Sequence, residues 1–197
     1  MKALFTIILL TTLNLHGISQ IKQNEFVLDT VKGWGTELMK FPLDFAPEID
    51  FKGVEDIRFA PGWSKKGAED FWTYKFVWML ESDPSINAVK LERVLSLYFN
   101  GLMNDVGKSK RMDLNEIATT KVSLHELWNN PVSFSGSADI WDVFFTQAAV
   151  HLNLKVIKRY CSQKQKYLLI FEFSPQPFKH QIWSAMDKIG LIEDCRL

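Results

Sequence analysis

Hydrophobic positions alternate most sharply between residues 71 and 80, where Trp72, Tyr74, Phe76, Trp78 and Leu80 occupy every second place. A period of two sends successive side chains to opposite faces of a strand, so this run predicts a strand with a continuous aromatic wall on one side. Upstream, Leu38, Phe41, Leu43, Phe45, Ile49 and Phe51 are spread around Pro42 and Pro47, a pattern that suits an edge strand or an extended segment laid on a sheet. A short strand-like run at 56–60 ends at the turn pair Pro61-Gly62 and leads into a polar connection through Lys65-Lys66-Gly67.

The period then changes. Ala88, Leu91, Leu95, Tyr98 and Leu102, joined by Val94, recur at three- and four-residue spacing and predict a helix from about 84 to 104. Asp83-Pro84 is the expected start, with Asp83 as N-cap, and Gly107 the expected stop. Its apolar stripe should lie on the aromatic wall. Strands are expected at 118–128, 140–146, 150–157 and 167–173, with Ser162-Gln163-Lys164-Gln165 as a hairpin tip. A second helix should carry Phe178, Ile182, Met186 and Ile189 and stop at Gly190. Hairpin-length connections favour antiparallel pairing, so the expected class is α+β: a mainly antiparallel sheet of about five to six strands, with two helices packed on one face.

The N-terminus changes the setting. Met1-Lys2 followed by an apolar stretch from Ala3 to Leu15, then Gly17 and Ser19 as small residues before Gln20, has the pattern of a cleavable signal peptide over 1–19. No cysteine follows that stretch to accept a lipid. The remainder, 20–197, has no linker, repeat or low-complexity run and reads as one secreted or periplasmic domain. Hydrophobic residues make up 47% of the sequence and aromatic residues 13%, enough to fill a core. Removing Lys2 with the signal leaves 22 basic and 23 acidic residues, so no electrostatic case exists for nucleic acid or anionic lipid. No second apolar run is long enough to span a bilayer after signal cleavage.

Cys161 and Cys195 are the two cysteines. An even pair in an exported chain is most simply a disulfide that pins the C-terminal tail to the sheet, and two lone cysteines this far apart offer neither CxxC spacing nor enough ligands for a metal. The segments Phe41-Pro42-Leu43-Asp44-Phe45-Ala46-Pro47, Glu55-Asp56-Ile57-Arg58-Phe59-Ala60-Pro61-Gly62-Trp63 and Phe173-Ser174-Pro175-Gln176-Pro177 resemble uncharacterised exported proteins of Bacteroidota-type bacteria. The resemblance implies an envelope or extracellular protein and attaches no activity.

Catalytic signatures are missing. His125, His151 and His180 lack zinc spacing, and no cofactor pattern is present; Gly33-Trp34-Gly35 is only GxG. Ser174, His180 and Asp139 or Asp142 can be assembled on paper into a triad, but no GxSxG elbow supports it, and Ser174 before Pro175 reads as a cap or turn residue. Glu55 and Asp56 should point to opposite faces of a strand, while Asp142 and Glu172 are candidate buried acids. The seven tryptophans are the compositional excess. Trp72 and Trp78 belong to the expected core wall, whereas Trp34 and Trp63, beside glycines, are the candidate binding residues. Two functions follow as expectations. One is a non-enzymatic exported binding or envelope-associated protein with an unidentified ligand or envelope partner. The other is a small secreted hydrolase, which requires a pocket gathering at least two of Asp142, His151, Glu172 and His180.

Overall fold

A computed structural model describes residues 26–128, 132–192 and 195; the expected signal segment 1–19 lies outside them. One seven-stranded antiparallel sheet organises the described chain. Its strands are β1 (Gly35–Lys40), β2 (Gly53–Phe59), β3 (Tyr74–Leu80), β4 (Lys121–Leu127), β5 (Ser133–Asp142), β6 (Ala148–Cys161) and β7 (Lys166–Ser174). Their spatial order is β1-β2-β3-β7-β6-β5-β4. Two helices accompany it, α1 (Ala88–Ser109) and α2 (Gln181–Asp187). The α+β class and antiparallel pairing agree with the sequence pattern, but the strands number seven, not five or six.

The edge segment at 35–40 makes the seventh strand, and the bounds of β5 differ from the expected 140–146 for a local reason. β5 begins at Ser133 in a run of serines, glycine and alanine that carries little apolar signal, although Phe134, Ala138 and Ile140 alternate inward with Ser135, Ser137 and Asp139 outward. The expected strand at 140–146 ends at Asp142 because its carboxylate accepts the N–H groups of Phe144, Phe145 and Thr146 and folds that stretch into a turn. Both readings of 34–51 hold: 35–40 is the edge strand, and the following segment lies against the core through Leu43, Ala46 and Ile49.

α1 buries Leu91, Val94, Leu95, Tyr98, Phe99 and Met103 against the aromatic wall, where Tyr74, Phe76 and Trp78 are joined by Leu169, Phe171 and Phe173 of β7. Its N-cap is Asn87, whose side chain accepts from Lys90 N at 2.9 Å. Asp83 instead accepts from Ser85 N in a local turn and pairs with Lys158, so the helix starts later than the Asp83-Pro84 pair suggests. Helix continues through Gly107 because the missing side chain admits Ile117: a Cβ there would stand 2.6 Å from Ile117 Cδ1. α1 also guards an edge. Glu92 accepts from Leu124 N and Asn100 from Thr120 N, which satisfies outward N–H groups beside β4 that would otherwise invite another strand.

The second helix is on the other side, a correction to the expectation that both pack on one face. Lys75 alternates with Tyr74 and Phe76 on β3, so its side chain leaves the opposite surface, where Nζ donates to Met186 O of α2 at 3.0 Å. On that surface Val27, Leu28, Val77, Leu168, Ile170, Ile189 and Leu191 form a smaller core. The segment around Leu28 and the tail around Leu191 pair across it. The disulfide Cys161–Cys195 is present and ties the tail to the end of β6, as the cysteine count implied.

Candidate functional site

α1 packs closest to β4, and the aromatic side chains over β1, β2 and β3 do not fill the space left at the far end of the helix. A pocket of about 340 Å³ results, within the size range of small-molecule sites. Ile57 and Tyr74 rise from the strands, Tyr98, Leu102 and Val106 come down from α1, and Phe45 closes one side. Trp63, Phe144 and Phe145 belong to two loops and form the outer wall.

Each loop is held by a carboxylate. Asp70 accepts from Gly62 N at 2.8 Å, and a Cβ at residue 62 would fall 2.0 Å from Asp70 Oδ1, so glycine is needed for the loop to close. Trp63 O accepts from Trp72 N at 2.9 Å, with Trp72 in the left-handed region at φ 53°. Such a backbone is uncommon for a bulky residue and stores strain beside the pocket. Asp142 caps the turn bearing Phe144 and Phe145, while Lys110 reaches from the end of α1 to donate to Val143 O and Phe144 O. Trp63 stacks on Phe59 with ring centroids 4.4 Å apart and meets Trp72 and Phe145 nearly at right angles.

Two acids share this face of the sheet. Glu37 stands opposite Ile57 and Glu55 opposite Met39, which makes them diagonal neighbours across β1 and β2. Glu37 is exposed at the pocket rim, with its carboxyl pushed above the ordinary range by partial burial. Glu55 is fully buried behind the lining, and burial pushes its carboxyl up to about 8. The Tyr98 hydroxyl, donating to Oε1 at 2.7 Å, and the nearby Trp78 indole oppose that rise, and Glu37 adds to it. Neither Glu55 Oε2 nor Trp78 Nε1 completes a hydrogen bond. Tyr74 and Tyr98 are held well above their usual range by burial and by Glu55. At neutral pH the site is therefore an aromatic chamber backed by a protonated buried acid, with a second carboxyl at the rim.

Of the candidate binding residues, Trp63 is at the pocket. Trp34 is half-buried against the smaller core on the opposite face, so the two do not meet. The four polar residues required for a hydrolase are also apart in function. Asp142 caps its turn, His151 pairs with Asp139 at 2.7 Å in the open, Glu172 takes Lys75 at 3.0 Å, and His180 accepts from Ile182 N as the N-cap of α2. Ser174 bonds Thr73 and accepts from Gln176 N, a turn role as its proline neighbour suggested. Among the described residues no group of histidine, cysteine and carboxylate side chains could hold a metal ion. Glu37, Tyr98, Phe144 and Phe145 were not singled out by sequence reasoning. Glu55 carried a usable signal, because period two places it beside Ile57 and Phe59.

No known protein family, characterised protein or solved structure matches this chain, so the site is read from its geometry. No described helix is long and apolar enough to cross a membrane.

Proposed function

We propose that this is an exported, non-enzymatic binding protein that holds a compact apolar group in the pocket between β1–β3 and α1. The observation that carries the reading is the pocket itself: aromatic rings from separate loops are fixed around open space by carboxylate-capped turns, with Trp72 kept in a strained conformation. Backbone strain of this kind clusters at binding sites, which favours the reading. Export is supported by the signal-like N-terminus, by the disulfide and by the resemblance to exported proteins of Bacteroidota-type bacteria, which together favour a secreted or periplasmic setting. The secreted-hydrolase alternative is weakened because Asp142, His151, Glu172 and His180 each serve a separate local partner.

Trp63 and Trp72 are built-in reporters. Titration with small cyclic and branched apolar compounds should change intrinsic fluorescence and raise Tm, and Trp63→Ala should remove both effects while leaving the fold intact. A panel in which no compound moves either signal would sink the reading.

A further inference from the structure

We propose that the group held in the pocket is an alkylated ammonium, a tertiary or quaternary amine carried by a small ligand. This deepens the reading of the pocket as a ligand site and rests on it. The walls supply the first argument. Trp63, Trp72 and Phe145 meet pairwise at 85°, 83° and 67°, with centroids 6.1, 5.0 and 6.2 Å apart. Rings set at such angles turn faces as well as edges toward one corner, and a ring face attracts a cation lying within about 6 Å of its centroid. A neutral alkyl group gains nothing from that arrangement beyond burial.

Charge supplies the second argument. Glu37 is the carboxyl on the lining, and no lysine, arginine or histidine lines it. Behind the lining lies Glu55, with no solvent exposure and with Oε2 completing no hydrogen bond. The groups that face Glu55 are Glu37 from β1, Tyr74 and Trp78 from β3, and Tyr98 from α1, none of them cationic. Every ionisable side chain on the lining or against Glu55 is acidic or phenolic, and the nearest cation, Lys110, is spent on the carbonyls of Val143 and Phe144, so a cationic ligand brings the charge that the lining lacks.

The test is isothermal titration of the full chain near pH 7 with choline and with its neutral carbon isostere, in which a tert-butyl group replaces trimethylammonium. Choline should bind at least about tenfold tighter than the isostere, and Glu37→Gln should reduce the preference below about threefold. Equal or tighter binding of the isostere, or a preference that survives Glu37→Gln, would overturn the cation assignment while leaving the pocket reading in place. Failure of both probes, together with failure of the apolar panel, would remove the pocket reading as well.

Discussion

Glu55 and Asp56 are sequence neighbours on one strand, both fully buried, and they have opposite fates. Asp56 faces the smaller core, where its carboxylate takes Arg58 and the N–H groups of Val27 and Leu28, each at 2.8 Å. Arg58 in turn donates to Ile57 O, Leu28 O and Asp29 O. Asp56 and Arg58 answer each other's charge, and the result is structural: the N-terminal segment is fastened across the sheet. Glu55 faces the larger core one residue earlier and keeps one tyrosine hydroxyl and one oxygen with no partner. A protein that pairs acids so thoroughly on one face and leaves one incomplete beside a cavity on the other has separated stability from binding. Unsatisfied buried polar groups are costly, so their placement is informative.

The two faces respond differently to mutation. The largest effect belongs to Arg58→Leu, which strands Asp56 as a buried charge; urea unfolding should show a loss of about 3–5 kcal/mol. Next comes the disulfide on the same face. Replacing Cys161 and Cys195 together with serine frees a loop of about 35 residues, and the chain-entropy account gives a loss of roughly 3–4 kcal/mol. Comparable loss from a pocket-face substitution such as Trp63→Ala would break the contrast.

The pocket face should reveal itself in pH dependence. Glu55 has its folded pKa raised from 4.5 to about 8, so between those values the unfolded state gives up its proton while the folded state keeps it. Stability therefore falls as pH rises through that window, by about 1.4 kcal/mol per unit or roughly 5 kcal/mol at most, and levels off above the folded pKa. Below 4.5 both states hold the proton and the term vanishes. Unfolding measured across this window should slope downward for the natural chain and lie flat for Glu55→Gln after the shared background is subtracted. A parallel slope in both proteins would show that Glu55 is not the titrating group.

Smaller effects sharpen the assignment. Asp142→Ala removes the acceptor for three backbone N–H groups and should cost about 1–2 kcal/mol, the range of a lost cap. It should also weaken pocket ligands, because Phe144 and Phe145 lose their fixed turn. Trp128 is 97% exposed at the end of β4, and Trp128→Ser should change stability by less than about 0.5 kcal/mol and leave binding untouched. That variant is the control for Trp63: same residue type, no pocket.

Much of the larger core was legible because local pattern and burial agree. The alternation from Tyr74 to Leu80 and the helical stripe from Leu91 to Tyr98 each report which side chains share a face, and those faces meet. β5 was harder to read because serine and glycine carry no hydrophobic period. The side of the sheet taken by α2 was hidden for another reason. Met186 and Trp183 state that one surface of that helix is buried, but a sheet with two apolar faces offers two answers, and the tie between Lys75 and Met186 O forms only after the strands have assembled.

The sequence by itself determined the class of fold, the aromatic wall, the α1 stripe, the disulfide partners and the opposite orientation of Glu55 and Asp56, since all of these depend on periodicity or on a count of two cysteines. Only the tertiary structure decided that Glu37, Glu55, Tyr98, Trp63 and Phe145 gather around one chamber. They come from β1, β2, α1 and two loops spread over more than half of the chain, and nothing in local pattern reports which distant segments converge. The same holds for the unanswered oxygen of Glu55. Its lack of a partner is a property of what surrounds it, and those surroundings exist only in the assembled fold.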